Sequence, residues 1–278
     1  MADALPESVL SLIRAALAED VGDGDVTSEF FVPRDAMSVA RIVAREPGIA
    51  AGGHVAAQVF LEVDARLTVK TEKEDGAPFA QGEVLLTVAG PTESILTGER
   101  VALNFAGHLS GVATATAALV AAVKGTGARI VCTRKTLPNL RILQKYAVRC
   151  GGGFNHRFGL DDAVLIKDNH IAAAGGIAPV LERVRAGLGH MAKIEIEVDT
   201  LAQLEEALSL GADTILLDNM TPDDLRRAVL LTKRRAVLEA SGNVTLQTVR
   251  AIAETGVDYI SSGAITHSVV NLDIGLDF

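Results

Sequence analysis

A chain of 278 residues with 49% hydrophobic residues is long enough for one large domain or two ordinary ones around a well-buried core. Its net charge of -9 argues against a general affinity for nucleic acid or for an acidic membrane surface. Trp is absent and aromatic residues make up only 4%, so Ala, Val, Leu and Ile must fill the interior, which suits α/β packing better than an aromatic-rich sandwich. Two cysteines, Cys132 and Cys150, are too few for a disulfide framework or a thiolate zinc site and read as free thiols in a reducing compartment. Residues 1–7 are acidic and carry no basic n-region. The longest apolar run, residues 112–123, contains Thr114 and Thr116 and is too short to span a bilayer. A soluble, cytoplasmic protein is expected.

In chain order, helical spacing runs over residues 8–19, where Val9, Leu12, Ile13, Ala16 and Leu17 share a face. The stretch 21–28 is rich in Gly and Asp and reads as loop. Alternation predicts strands at 39–44 and 67–70. Turns at Glu74-Asp75-Gly76 and Gln81-Gly82 precede a further strand at 84–88. A long helix follows over 94–123, with Gly107 or Gly111 as points of interruption. From residue 128 the rhythm changes. Short apolar strands at 129–133, 163–166, 194–198, 214–217, 237–240 and 259–261 alternate with helical patterns near 140–148, 179–186, 201–210, 222–231 and 246–255. That alternation implies a parallel sheet covered by helices. No Gly-x-Gly-x-x-Gly follows the first strand, which weighs against a dinucleotide fold. An incomplete (β/α) barrel over 111–267 is expected. An N-terminal α/β domain over 1–110 precedes it, and a C-terminal segment, 268–278, returns toward the N-terminal domain.

Each predicted strand of the second half ends in polar residues: Arg134-Lys135, Lys167-Asp168, the Glu195, Glu197 and Asp199 face, Asp218, Ser241-Gly242, and Ser262-Gly263. In parallel barrels these ends converge on one mouth, where active sites are built. Charge is also sorted along the chain. From Thr133 to Lys167 there are seven basic residues, Arg134, Lys135, Arg141, Lys145, Arg149, Arg157 and Lys167, against Asp161 and Asp162. Several cations at a mouth suit a small anionic ligand, although Arg141, Lys145 and Arg149 lie four apart on one helix and read as a solvated face. Glu197 and Asp218 are candidate Mg²⁺ ligands, since this hard ion takes one or two carboxylates plus substrate phosphate oxygens. Pairing with Lys135 or Lys167 is the simpler alternative. Ser241-Gly242-Asn243 and Ser262-Gly263-Ala264 offer backbone N–H groups beside hydroxyls, the usual phosphate grip of late barrel loops. Lys167 also admits a Schiff-base aldolase.

Three runs carry a resemblance: Thr133-Arg134-Lys135-Thr136, Gly151-Gly152-Gly153-Phe154-Asn155-His156-Arg157, and Lys167-Asp168-Asn169-His170. Glu99-Arg100-Val101-Ala102-Leu103-Asn104, Leu217-Asp218-Asn219-Met220 and Glu239-Ala240-Ser241-Gly242-Asn243 support it. With these the chain resembles the quinolinate phosphoribosyltransferase family (nicotinate-nucleotide pyrophosphorylase, carboxylating) over nearly its whole length. The resemblance implies an N-terminal α/β sandwich joined to an incomplete α/β barrel of the type II phosphoribosyltransferase kind. It implies transfer of phosphoribosyl from phosphoribosyl pyrophosphate to quinolinate with loss of CO₂, in the presence of Mg²⁺, by a homodimer. By resemblance, Arg134, Lys135, His156, Arg157 and Lys167 face quinolinate, Thr133 is substrate-binding, and Glu197 and Asp218 serve the ribose and the metal–pyrophosphate. Ser241, Gly242, Asn243, Ser262 and Gly263 hold the 5-phosphate, and Arg100 reaches a neighbouring subunit's site. Leu137, Asn139 and Asn243 depart from the family's usual Thr and Gly.

Overall fold

The computed structural model describes residues 5–189 and 191–278; residues 1–4 of the acidic N-terminal segment lie outside the described residues. The elements run α1 (Glu7–Val21), α2 (Val26–Phe31), β1 (Met37–Ala44), β2 (Gly48–Ile49), α3 (Gly53–Val63), β3 (Thr68–Thr71), β4 (Pro78–Phe79), β5 (Val84–Pro91) and α4 (Thr92–Ala122). There follow β6 (Arg129–Val131), α5 (Arg141–Cys150), β7 (Val164–Ile166), α6 (Asp168–Ala174), α7 (Ile177–Gly187), β8 (Ile194–Val198), α8 (Leu201–Ser209) and β9 (Thr214–Asp218). The chain closes with α9 (Pro222–Thr232), β10 (Val237–Ser241), α10 (Val249–Ala253), β11 (Tyr259–Ser261), α11 (Ala264–His267) and β12 (Ile274–Asp277). It divides into two compact units. One holds the chain up to Ala117 with Leu137–Gly152 and Ser268–Phe278; the other holds Ala118–Thr136 and Gly153–His267.

In the first unit an antiparallel sheet has the order β12-β1-β5-β3. The C-terminal strand pairs with the first one, with Ala44 opposite Ile274 and Arg41 opposite Asp277. On β1, Ala40, Ile42 and Ala44 are buried while Met37 and Val39 are exposed, the period-two pattern of a sheet with one covered face. Helix α3 packs on β3 and β5, and α1 packs on α3 through the buried Val9 and Ile13. Three expectations change here. The stretch 21–28 is not all loop, because the Asp25 carboxylate accepts the N–H groups of Thr27 and Ser28 and starts α2. Residues 137–152, placed in the barrel from sequence, belong to the first unit. Lys145 is 1% exposed and not on a solvated face. A step of four residues turns a helix by about 40° beyond a full turn, so Lys145 falls among the buried Leu143, Gln144, Ala147 and Val148 while Arg149 stays exposed.

Helix α4 is continuous through Gly107 and Gly111. By length and composition alone it is apolar enough to cross a membrane, and half of its most apolar window is buried within the protein. Its glycines serve close approach. A Cβ on Gly111 would lie 2.3 Å from the Val270 carbonyl oxygen, and one on Gly107 would lie 2.9 Å from that of Leu272.

The second unit is a six-stranded parallel sheet of order β6-β11-β10-β9-β8-β7. The first and last strands of the unit are neighbours, and β7 lies at the far edge. The sheet is therefore an incomplete barrel, open between β6 and β7. Helices α7, α8 and α9 bury one stripe each, for example Leu204, Ala207 and Leu208 on α8. On the open side of β6, Phe154 bridges Val131: its N–H donates to Ile130 O at 2.8 Å, and Cys132 N–H donates to Phe154 O at 3.1 Å.

Helix propensity alone makes Gly111→Ala stabilising, by about 0.5–1 kcal/mol. The contact with Val270 reverses the sign, and a net loss of about 1–3 kcal/mol is expected from overpacking against backbone. Urea unfolding measures it; a raised midpoint would contradict the close approach.

Candidate active site

The strands of the second unit end around one cavity of about 380 Å³. Thr133, Arg134 and Lys135 follow β6 into it, and His156 and Arg157 enter from the segment that bridges the open edge. Lys167 follows β7, Glu197 stands on β8, Asp218 ends β9, and Ser241 ends β10. Period two explains the selection. Leu165 and Lys167, Leu216 and Asp218, and Glu239 and Ser241 are each two apart, and all line the cavity. Among the sequence-predicted site residues, Gly242, Asn243, Ser262 and Gly263 are in the loops directly behind this lining. Arg100 lies elsewhere, exposed on α4 in the first unit.

Burial works against the charged forms of Arg157, Glu197 and Asp218. Desolvation, and then the positive charge of Arg134, lower the Arg157 pKa against the opposing pull of Asp162 and Glu195. Desolvation raises Glu197, although Lys167 Nζ lies 3.2 Å from its Oε2. Asp218 is also raised, by desolvation first and the charge of Asp199 next. The ion pair of Lys167 with Glu197 is the pairing that the simpler alternative anticipated. Asp218 has a different partner, the Asn219 amide at 2.6 Å.

Two further acids were given no site role from sequence: Glu239, which lines the cavity, and Glu195 on β8. Glu195 is 8% exposed and Glu239 is 5% exposed. His156 Nε2 is 2.9 Å from Glu195 Oε2 and 3.6 Å from Glu239 Oε1, so the three are grouped closely enough to hold a metal. The hydrogen-bond pattern assigns them otherwise. His156 Nδ1 accepts the Arg157 N–H at 2.8 Å, so the neutral ring carries its proton on Nε2 and donates it to Glu195 Oε2 at 2.9 Å. Burial, and next the charge of Glu195, raise Glu239 to about 7, against the pull of His156. The signal for Glu239 was available in sequence: it is an acid two residues before Ser241 in an otherwise apolar strand.

The loops are cross-braced. Thr266 Oγ1 donates to Lys135 O at 2.7 Å, and Lys135 N–H donates to Thr133 Oγ1 at 2.9 Å. Ser262 is 3% exposed, and its Oγ has no hydrogen-bond partner among the described residues. The two Asn departures have a common cause. Asn139 has φ 63° and Asn243 has φ 48°, a left-handed conformation that Gly adopts freely and Asn tolerates. Asn in place of Gly thus keeps the turn.

The fold and this cavity define a type II phosphoribosyltransferase-like α/β protein, and comparison with known proteins narrows the class. Two family models match: quinolinate phosphoribosyl transferase, N-terminal domain, over residues 25–110, and its C-terminal domain over residues 112–277. A nicotinate-nucleotide pyrophosphorylase [carboxylating] of Mycobacterium leprae is 48% identical over 271 residues, covering 95% of this chain and 95% of that one. A probable enzyme of the same name from Bacillus subtilis is 45% identical over 266 residues, covering 96% and 92%. The crystal structure of NadC from Streptococcus pyogenes superposes with a TM-score of 0.95 at 40% identity, covering 100% of this chain and 98% of that one. The chain belongs to the quinolinate phosphoribosyl transferase family.

Glu239 gives the site a pH signature. Its folded pKa is raised from 4.5 to about 7, so the folded state holds the proton more tightly than the unfolded chain. The stability this contributes is fully present below about 4.5 and is lost as pH rises through about 7. Glu239→Gln removes the titration. Its thermal midpoint relative to wild type should therefore climb by several degrees between pH 5 and pH 8; a difference that stays constant with pH would contradict the assignment.

Proposed function

We propose that the mouth of the second unit brings quinolinate and phosphoribosyl pyrophosphate together on opposite sides of one cavity. The reaction forms a bond from the pyridine nitrogen to C1 of the ribose and breaks the bond from C1 to pyrophosphate. The C2 carboxylate leaves as CO₂, its bonding electron pair stays on C2 and takes up a proton from water, and nicotinate mononucleotide for NAD biosynthesis results. One observation carries this reading. Arg134, Lys135, Arg157 and Lys167 share a cavity of about 380 Å³ with Glu197 and Asp218.

The cations complement the two adjacent carboxylates of quinolinate, with the Arg forks giving planar contacts. His156, held in one tautomer by its three neighbours, supports Arg157 at the edge of that subsite. Glu197 and Asp218 face the developing positive charge at C1 and stabilise it electrostatically. They also fit Mg²⁺, because both are hard oxygen donors that desolvation leaves poorly compensated. The ion supplies neutralisation of the departing pyrophosphate. Ser241, Gly242, Asn243, Ser262 and Gly263 hold the 5-phosphate, a role for which the unpartnered Ser262 hydroxyl is suited. The protein works as a homodimer in the cytoplasm, with Arg100 completing the neighbouring subunit's site. An amine nucleophile of the Schiff-base kind wants a desolvated lysine, whereas the Lys167 side chain is 47% exposed and ion-paired.

Release of CO₂ from carboxyl-labelled quinolinate tests the reading. It should require both phosphoribosyl pyrophosphate and Mg²⁺ and yield nicotinate mononucleotide in equal amount. Borohydride-trappable adducts at Lys167 without CO₂ release would favour the aldolase. The role of Arg100 is tested by mixing Arg100→Ala with Lys135→Ala. If Arg100 acts in trans, mixed dimers hold one intact site, and random reassortment restores activity to roughly a quarter of wild type. No recovery in dimers shown to have exchanged subunits means that Arg100 serves its own chain.

A further inference from the structure

One residue at the mouth has no part in these roles. Asn219 follows Asp218 at the end of β9 and has φ 53°. Its N–H continues the ladder to Ser241 O at 2.9 Å. The side-chain amide is engaged at both ends. Nδ2 donates to Asp218 Oδ2 at 2.6 Å, and Oδ1 accepts from Asn243 Nδ2 at 3.4 Å. Gly242, with φ 99°, lies against this amide so closely that a Cβ there would meet Asn219 Oδ1 at 2.1 Å and Asn219 N at 3.0 Å. Glycine at 242 is thus required by Asn219 as well as by its own φ.

The left-handed turn alone does not call for Asn, since Gly meets it at no steric cost. Asp tolerates it too, but would set a second carboxylate beside Asp218. Among side chains that suit this conformation, the amide is the one that donates to a carboxylate on one side and accepts from the loop on the other. Those two neighbours serve different ends of one molecule. Asp218 faces the metal–pyrophosphate end of the donor, and the loop Ser241-Gly242-Asn243 faces its 5-phosphate.

We propose that Asn219 is a positioning residue for the phosphoribosyl donor, tying the Asp218 carboxylate to the phosphate loop and so setting the spacing between the two anionic ends of the donor site. The inference rests on the assignment of Asp218 and of the 241–243 loop made above. It predicts that loss of the amide harms the donor and spares quinolinate.

Asn219→Gly keeps the turn and removes the amide. Calorimetry with Mg²⁺–phosphoribosyl pyrophosphate, and separately with quinolinate, reads the two affinities, and CO₂ release reads the donor KM. Donor Kd and KM should rise about tenfold, the scale of one hydrogen bond to a charged group. Quinolinate affinity should stay within about twofold. In an Asp218→Ala background the same substitution should change donor affinity by less than about twofold, because contacting residues are non-additive. A merely structural role would instead weaken both ligands and add to Asp218→Ala. Asn219→Asp keeps the turn and the acceptor but loses the donor, so it must also weaken donor binding. Unchanged donor affinity in Asn219→Gly and Asn219→Asp, or a full tenfold cost persisting in the Asp218→Ala background, overturns the proposal. A wild-type enzyme that releases no CO₂ overturns the transferase reading and this inference with it. An active wild type beside unimpaired variants overturns the inference alone.

Discussion

Desolvation of charge at the mouth is the constraint on which the site depends. Arg157 is shifted toward its neutral form by burial and by Arg134. Glu197 and Asp218 are shifted toward theirs by burial and by neighbouring acids. Desolvation is the largest contribution to each of the three shifts. Groups that are already oriented and poorly solvated need little reorganisation when charge arrives, which is the basis of electrostatic preorganisation. The pairs inside the protein offset part of the cost. Lys167 holds Glu197 at 3.2 Å, and His156 Nε2 lies 2.9 Å from the buried Glu195. Removing one member of such a set leaves its partner buried and unpaired, which is why the cluster is expected to act as a unit.

The parallel sheet makes this concentration of charge possible. Register aligns Glu197 with Leu216 and Ser241 with Asp218, so alternate residues of adjacent strands point into one cavity. The open side between β6 and β7 contributes as well. There the segment carrying His156 and Arg157 docks on β6 through Phe154, and the cations Arg134 and Arg157 gather at one edge. The acids sit on the central strands. Cations at the sheet edges and acids on its central strands are therefore separated by strand order.

The strands of the second unit were legible because short β-branched runs ended in polar residues at a regular spacing. β8 matches its expected bounds of 194–198, and β9 and β10 extend by one residue onto Asp218 and Ser241, which line the cavity. What was illegible has physical causes. Helix α2 hid in a Gly- and Asp-rich stretch because its start depends on one capping carboxylate, Asp25. Gly107 and Gly111 looked like helix breaks because their reason, the carbonyls of Leu272 and Val270, is more than a hundred residues away. Lys145 looked solvated because spacing shows which residues share a face and not which face is covered. Glu239 was visible in sequence as an acid two residues before Ser241, but its grouping with Glu195 and His156 arises only from register and tertiary packing. Asn243 read as a departure in sequence, and its φ of 48° shows it meeting the same conformational need as glycine.

The central claim is that the cationic edge of the mouth recognises two adjacent carboxylates. Calorimetric comparison of quinolinate with nicotinate, which lacks the second carboxylate, tests it most directly. Loss of one charge-assisted contact pair should weaken binding by about tenfold or more at neutral pH and low salt. Equal affinities for the two acids would contradict the account.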